Sequence, residues 1–216
     1  MSDDGVMAPV PAVLVVLAAY VALFVVAELL RSRRGWGAET TRRLIHSVGA
    51  LIAVPLPLLL GRRLGVVLAV GLAVLLVLST RYRPLASLHD VRRSTVGEVV
   101  FPLGIALAAL VATEYGQYVL GVLVLGLADP AAGVVGARYG TPLRRWPVSK
   151  SLVGSATFLA VTVLVALAFW LRLDLADLPL VLASALLVTG VEVSLGRGLD
   201  NLAVPGATAL AFGWMF

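Results

Sequence analysis

Cysteine is absent from this 216-residue chain. That excludes a disulfide framework and any chemistry that needs a thiolate, as metal ligand or as nucleophile. Charge is scarce: Asp, Glu, Lys and Arg make up 13% of the residues, about half the usual ~25% of a soluble domain. Lysine is scarcer still, with Lys150 alone against 16 arginines. No His-x-x-x-His pair, G-x-S-x-G elbow or Walker A loop is present, so zinc-enzyme, serine-hydrolase and P-loop readings lack support. The first residues, MSDDGVMAPVP, have no positive n-region, and a cleaved signal peptide is not expected. No internal repeat is evident.

Apolar residues are what the chain has in abundance. They form 60% of it, mean hydropathy is +1.01, and they lie in long blocks rather than at amphipathic spacing. About 18 or more apolar residues in a row can cross a bilayer core roughly 30 Å thick. The expected fold is therefore all-α, a polytopic transmembrane bundle forming one integral membrane domain over 1–216. Eight spans are read, near 10–30, 44–60, 64–80, 97–113, 117–136, 153–171, 178–193 and 202–216. The last would cover only about 22 Å at 1.5 Å per residue, so seven spans are the alternative.

The net charge of +5 could point to nucleic acid, but the arginines cluster at span boundaries, which favours topology and lipid headgroups. In the eight-span arrangement 14 of the 17 basic residues fall in loops 31–43, 81–96, 137–152 and 194–201. Only Arg62, Arg63 and Arg172 fall opposite. The positive-inside rule then places the N-terminus outside and the long polar loops in the cytoplasm. Within 84–93, Leu85, Leu88 and Val91 recur at helical spacing, which predicts a short helix lying in the cytoplasmic interface.

Ionisable residues inside spans are costly and mark functional positions. Glu28, Glu98, Asp129 and Glu192, with Asp200 beside the last span, all fall near cytoplasmic helix ends; Asp3, Asp4, Glu114, Asp174 and Asp177 sit in termini or loops. A secondary transporter places its polar site near the midplane. One-sided acids instead suit an enzyme whose water-soluble cosubstrate comes from the cytosol.

Five blocks carry candidate chemistry. In GLADPAAGVVGARYG (126–140), Asp129 precedes Pro130, and Gly133 and Gly136 follow on about the same helical face. A carboxylate beside small residues leaves room for an anion–metal complex, and Mg²⁺ is held by one or two carboxylates plus phosphates. The glycines alone would equally make a packing face. In SKSLVGS (149–155), Lys150 is flanked by Ser149, Ser151, Gly154 and Ser155 at a helix start, a setting that suits phosphate and also ordinary serine capping. In RSTVGEVVFPLG (93–104), Thr95 and Glu98 have capping-box spacing, and Glu98 could also face a site. In RRLIHS (42–47), Arg42, Arg43 and His46 lie close together on a helix; spacing alone favours a topology signal over headgroup binding. In EVSLGRGLDNLAVP (192–205), Glu192, Asp200 and Asn201 offer oxygen ligands, and Asp200 could instead be an N-cap.

These blocks, in this order, resemble the dolichol kinase, phytol kinase and CTP-dependent diacylglycerol kinase family. The family pattern runs Arg-Lys-x-x-His, Ser-x-x-Gly-Glu, Asp-Pro-Ala-Ala…Gly…Gly, Lys-Ser-x-Glu-Gly-Ser and Glu…Leu-Asp-Asn-x-x-Val-Pro. The chain matches it from about residue 39 to 205, with Arg43 where lysine is common and Val153 where glutamate is common. The resemblance implies transfer of the terminal phosphate of CTP to a polyprenol- or phytol-type alcohol or diacylglycerol, with Mg²⁺ as cofactor. It implies catalytic roles for Asp129, Lys150 and Glu98, and metal ligands among Asp129, Glu192, Asp200 and Asn201. Phosphate contacts would come from Arg42, Arg43, His46, Gly133, Gly136, Ser149, Ser151, Gly154 and Ser155. The expected partners are a nucleoside triphosphate and a lipid alcohol, with no nucleic acid, at an active site on the cytoplasmic side of the membrane. The alternatives are cytidylyl transfer onto a lipid phosphate, as in the distantly similar CDP-diacylglycerol synthases, and small-solute transport. The double-lysine block and late His-Gly-Gly signature of the synthases are absent.

Overall fold

In an apolar surround a backbone has to satisfy its own N–H and C=O groups, and a helix does so within one segment. The computed structural model describes residues 9–82, 97–141, 150–169, 177–196 and 198–216. Its elements are α1 (Pro9–Arg34), α2 (Ala38–Ala53), α3 (Leu56–Tyr82), α4 (Gly97–Val111), α5 (Tyr115–Leu123), a π-helical turn (Val124–Ala128), α6 (Asp129–Tyr139), α7 (Leu152–Phe169), α8 (Leu178–Ser194), α9 (Asp200–Ala211) and a 3₁₀ turn (Gly213–Met215). The expected interfacial helix at 84–93, Thr95 and Ser149 lie outside the described residues.

Four stretches are long and apolar enough to cross a membrane: Val10–Arg34, Leu56–Ser79, Tyr115–Tyr139 and Leu152–Phe169. Gly97–Val111 and Leu178–Ser194 are apolar but shorter. The outward surface is apolar too. On α1, Val10, Leu14, Val15, Val21 and Val25 are each more than half exposed, which suits lipid and not water. The chain is thus a helical membrane bundle. Tyr115–Tyr139 is its central helix: more than half of its span is buried, against a third or less of the other three.

Proline and glycine set where the helices bend. The expected turn between the second and third spans falls at Gly61, whose φ of 72° and ψ of 160° break α3 into two pieces. Pro57 has no N–H for the Ala53 carbonyl, and the Tyr118 hydroxyl donates to that oxygen instead at 2.8 Å. The Val54 carbonyl takes the Tyr115 hydroxyl at 3.1 Å. Pro130 likewise has no N–H for the Gly126 carbonyl, and the π turn ends two residues before it. Pro205 leaves the Asn201 carbonyl without a helical donor, and that oxygen lies against Gly104 of α4. A Cβ on Gly104 would run into it, and one on Gly121 would run into the Pro205 carbonyl. Glycine is what lets α9 wedge between α4 and α5.

Contacts define two ends of the bundle. At one, the starts of α2, α4, α7 and α9 meet α6 and the end of α8. At the other, Phe216 packs on Gly116, the Gln117 amide donates to the Gly213 carbonyl, and Arg62 donates to the Leu110 carbonyl. All the described candidate residues belong to the first end.

Candidate functional site

Lys150 lies two residues before α7 and reaches two acids from distant parts of the chain. Its ammonium donates to Glu192, on the last turns of α8, and to Asp200, the first residue of α9, the latter at 2.7 Å. Glu192 is 3% exposed and Lys150 16%. Burial works against the charged lysine, but Asp200 and Glu192 outweigh it and hold the ammonium above its ordinary pKa. Asp129, at the junction of the π turn and α6, is half-buried and feels the charges of Asp200, Lys150, Arg42 and Glu192. Three acids therefore share two cations, one of which, Arg42, is also bound elsewhere.

That other partner is Glu39, which the sequence reading passed over. It takes Arg42 in a bidentate pair at 3.1 and 2.9 Å, and Arg43 at 3.0 Å. The signal was available: Glu39 stands three and four residues before the two arginines, the spacing at which helix side chains meet. Arg43 also donates to the Gly133 carbonyl at 3.0 Å, which ties α2 to α6. Its Nε is buried with no partner.

Several candidates turn out to hold the frame. Asn201 is 2% exposed and donates its amide to the Gly97 carbonyl at 3.1 Å, joining α9 to α4. Ser151 caps α7, its Oγ accepting from the Gly154 amide at 3.1 Å, while the Ser155 amide bonds the Ser151 carbonyl at 2.9 Å. The cap and the first helical bond take up two amides at this helix start. Gly136 and Gly154 form a packing seam, with the Gly154 Cα 3.2 Å from where a Cβ on Gly136 would lie. Their smallness brings α6 and α7 together and leaves no open space there. Gly133 gives the Arg43 guanidinium its close approach to backbone.

Glu98 and His46 stand elsewhere at this end. Both line an apolar cleft, and His46 stacks on Phe101 with ring centroids 4.4 Å apart. His46 is 2% exposed, and its Nε2 has no partner. Glu98, expected as an acid facing the site, lines this cleft.

All five sequence blocks are joined here. Arg43 links the first to the third, Gly97 the second to the fifth, Lys150 the fourth to the fifth, and Gly154 the fourth to the third. No three described His, Asp or Glu side chains converge as a ready metal cage. A hard dication needs no such cage when phosphates supply the remaining oxygens. Glu192 Oε2 is buried without a partner and Asp129 lies within electrostatic reach of Glu192, carboxylate oxygens of the kind that Mg²⁺ takes. No family model, curated protein or solved structure matches the chain.

Proposed function

We propose that the protein is a CTP-dependent lipid-alcohol kinase, working from the cytoplasmic side of an eight-span bundle with its N-terminus outside. The observation that carries this reading is the meeting of Lys150 with Glu192 and Asp200, within electrostatic reach of Asp129 and Arg42. Cations beside acids with an unmatched carboxylate oxygen suit a triphosphate bound with its metal. The resemblance of the five blocks supplies the choice of CTP and of an alcohol acceptor.

In the reaction the bond between the terminal phosphorus and its bridging oxygen breaks. A new bond forms from the acceptor oxygen to that phosphorus, and the hydroxyl proton leaves to a base. Such transfer depends on position and charge neutralisation more than on covalent help from the protein. Mg²⁺, held by Asp129 with Glu192 or Asp200, would neutralise phosphate charge. Lys150 binds phosphate oxygens as a compact ammonium, and Arg42 and Arg43 hold the anion from the α2 side. Because Lys150 is paired with Glu192 and Asp200, nucleotide binding rearranges those pairs, freeing carboxylate oxygens as the ammonium turns to phosphate.

The test is product analysis. Purified protein with CTP labelled in its terminal phosphate, Mg²⁺ and a panel of lipid alcohols should yield labelled lipid monophosphate and CDP. Asp129→Asn should lower turnover by at least about a hundredfold, since even the groups that orient metal ligands are worth about 10–100-fold. Pyrophosphate release with a CMP-lipid product would replace the kinase by a cytidylyltransferase. Solute uptake into vesicles without nucleotide turnover would replace it by a transporter.

A further inference from the structure

The charged group holds more acid than base. Among the described residues, Arg42, Arg43 and Lys150 are its cations, and Glu39, Asp129, Glu192 and Asp200 its acids. A phosphate anion that enters adds to an excess already present, so one acid has to give way. Three of them are badly placed to do so. The side chains of Glu192 and Asp200 are 3% and 10% exposed, and both hold Lys150. Asp129 sits within the central helix. Glu39 differs: its side chain is 42% exposed, about twice as much as either arginine it binds.

Its contacts are those that phosphate oxygens would make. One carboxylate oxygen accepts from Arg42 Nη2 at 2.9 Å and lies 3.0 Å from Arg43 Nη2; the other accepts from Arg42 Nε at 3.1 Å. The forked edge of Arg42, the side a guanidinium offers to phosphate, is thus taken by an anion of the protein itself. The surroundings leave Glu39 a way out. It stands in the first turn of α2, behind Gly37 at the N-cap, which brings no side chain. Nothing lies within 4 Å of a Cβ added at Gly35 or Gly37. A change of side-chain rotamer releases both arginines without moving a helix.

We propose that Glu39 is a built-in substitute for the phosphate anion, a positioning residue that holds Arg42 and Arg43 ready and surrenders them when a polyphosphate arrives. The consequence is lower affinity, because each anion that binds displaces a carboxylate first. The return of that carboxylate helps to expel the spent anion. A site that grips its ligands equally tightly throughout gains nothing in rate once it is filled. Naming the anion as a triphosphate rests on the kinase reading, but the displacement does not.

Inorganic pyrophosphate separates the two. The full chain, in nanodiscs of phosphatidylcholine and with EDTA present, is titrated with it by calorimetry. Glu39→Gln should tighten binding about tenfold, the scale of one charge-assisted pair. Its thermal midpoint should hardly move, because exposed ion pairs contribute little to stability. Asp177→Asn removes the same charge at the start of α8, on the opposite end, and should leave the affinity unchanged. In turnover, Glu39→Gln should lower the KM for CTP and leave the KM for the alcohol as it is, a split that a merely structural role would not produce. Equal or weaker binding by Glu39→Gln, the same gain in Asp177→Asn, or no binding of pyrophosphate to either form would overturn the assignment. Unaltered affinity in a Glu39→Gln variant that still transfers phosphate would overturn it and leave the kinase standing. Tighter pyrophosphate binding by a protein that transfers no phosphate would keep the role of Glu39 and remove the kinase.

Discussion

Without the Lys150 ammonium, the carboxylates of Glu192 and Asp200 would stay buried and lose the cation that joins them. Breaking a buried pair by deleting one partner costs about 3–5 kcal/mol, because the remaining charge is left uncompensated. Lys150→Met should therefore lower the thermal midpoint in detergent as well as abolish turnover. Adding Glu192→Gln should restore part of the stability, since the double variant no longer buries that charge, but none of the activity. Recovery of activity would mean that Lys150 serves only the fold. Lys150→Arg should recover stability better than activity, because a planar guanidinium is not interchangeable with a compact ammonium. This pairing was not legible in the sequence. A lone lysine among arginines marked Lys150 as unusual, yet nothing in its spacing shows that it meets residues 42 and 50 positions away. Glu39 was legible in its spacing to Arg42 and Arg43, although it stands before a span and not inside one.

At the scale of elements, glycine decides how closely helices approach. Gly104 touches the backbone oxygen of Asn201, and backbone cannot swing aside as a side chain does. Gly104→Ala should shift α9 and with it Asp200, costing about 1–3 kcal/mol as overpacking does. Turnover should fall alongside the thermal midpoint. Gly71→Ala on α3 is the matched control: nothing lies within 4 Å of its added Cβ, so neither quantity should fall. A Gly104→Ala variant as stable and active as the control would show that α9 is not held as described. Apolar block length sufficed to find most helices, because a bilayer leaves a backbone little choice. The breaks at Gly61 and ahead of Pro130 follow from the residue types. The roles of Gly136 and Gly154 did not: one small-residue pattern serves either an anion site or a helix seam, and only the neighbour across the gap distinguishes them.

Across the described residues, most of the ion pairs are gathered at one end. Arg33 and Arg34 close α1 there, Arg42 and Arg43 open α2, and the Lys150 group completes it, while Arg62 stands at the other end against Leu110. Basic residues near helix ends are retained on the cytoplasmic side, so this asymmetry predicts that the charged end faces the cytoplasm. It is also what the kinase reading requires, since CTP is cytosolic. The absence of cysteine makes the orientation simple to measure, because a single introduced thiol has no background. Thr40 and Thr113 are exposed, at the charged end and at the opposite end. Thr40→Cys should react with a membrane-impermeant maleimide only in inverted vesicles, and Thr113→Cys only in intact spheroplasts. The reverse pattern would place the acids and Lys150 outside, away from any cytosolic nucleotide, and the phosphotransfer reading would fall with the fold left intact. Reaction of both thiols from one side would instead mean that the two ends do not face opposite sides of the bilayer, and the bundle's path through the membrane would need redrawing.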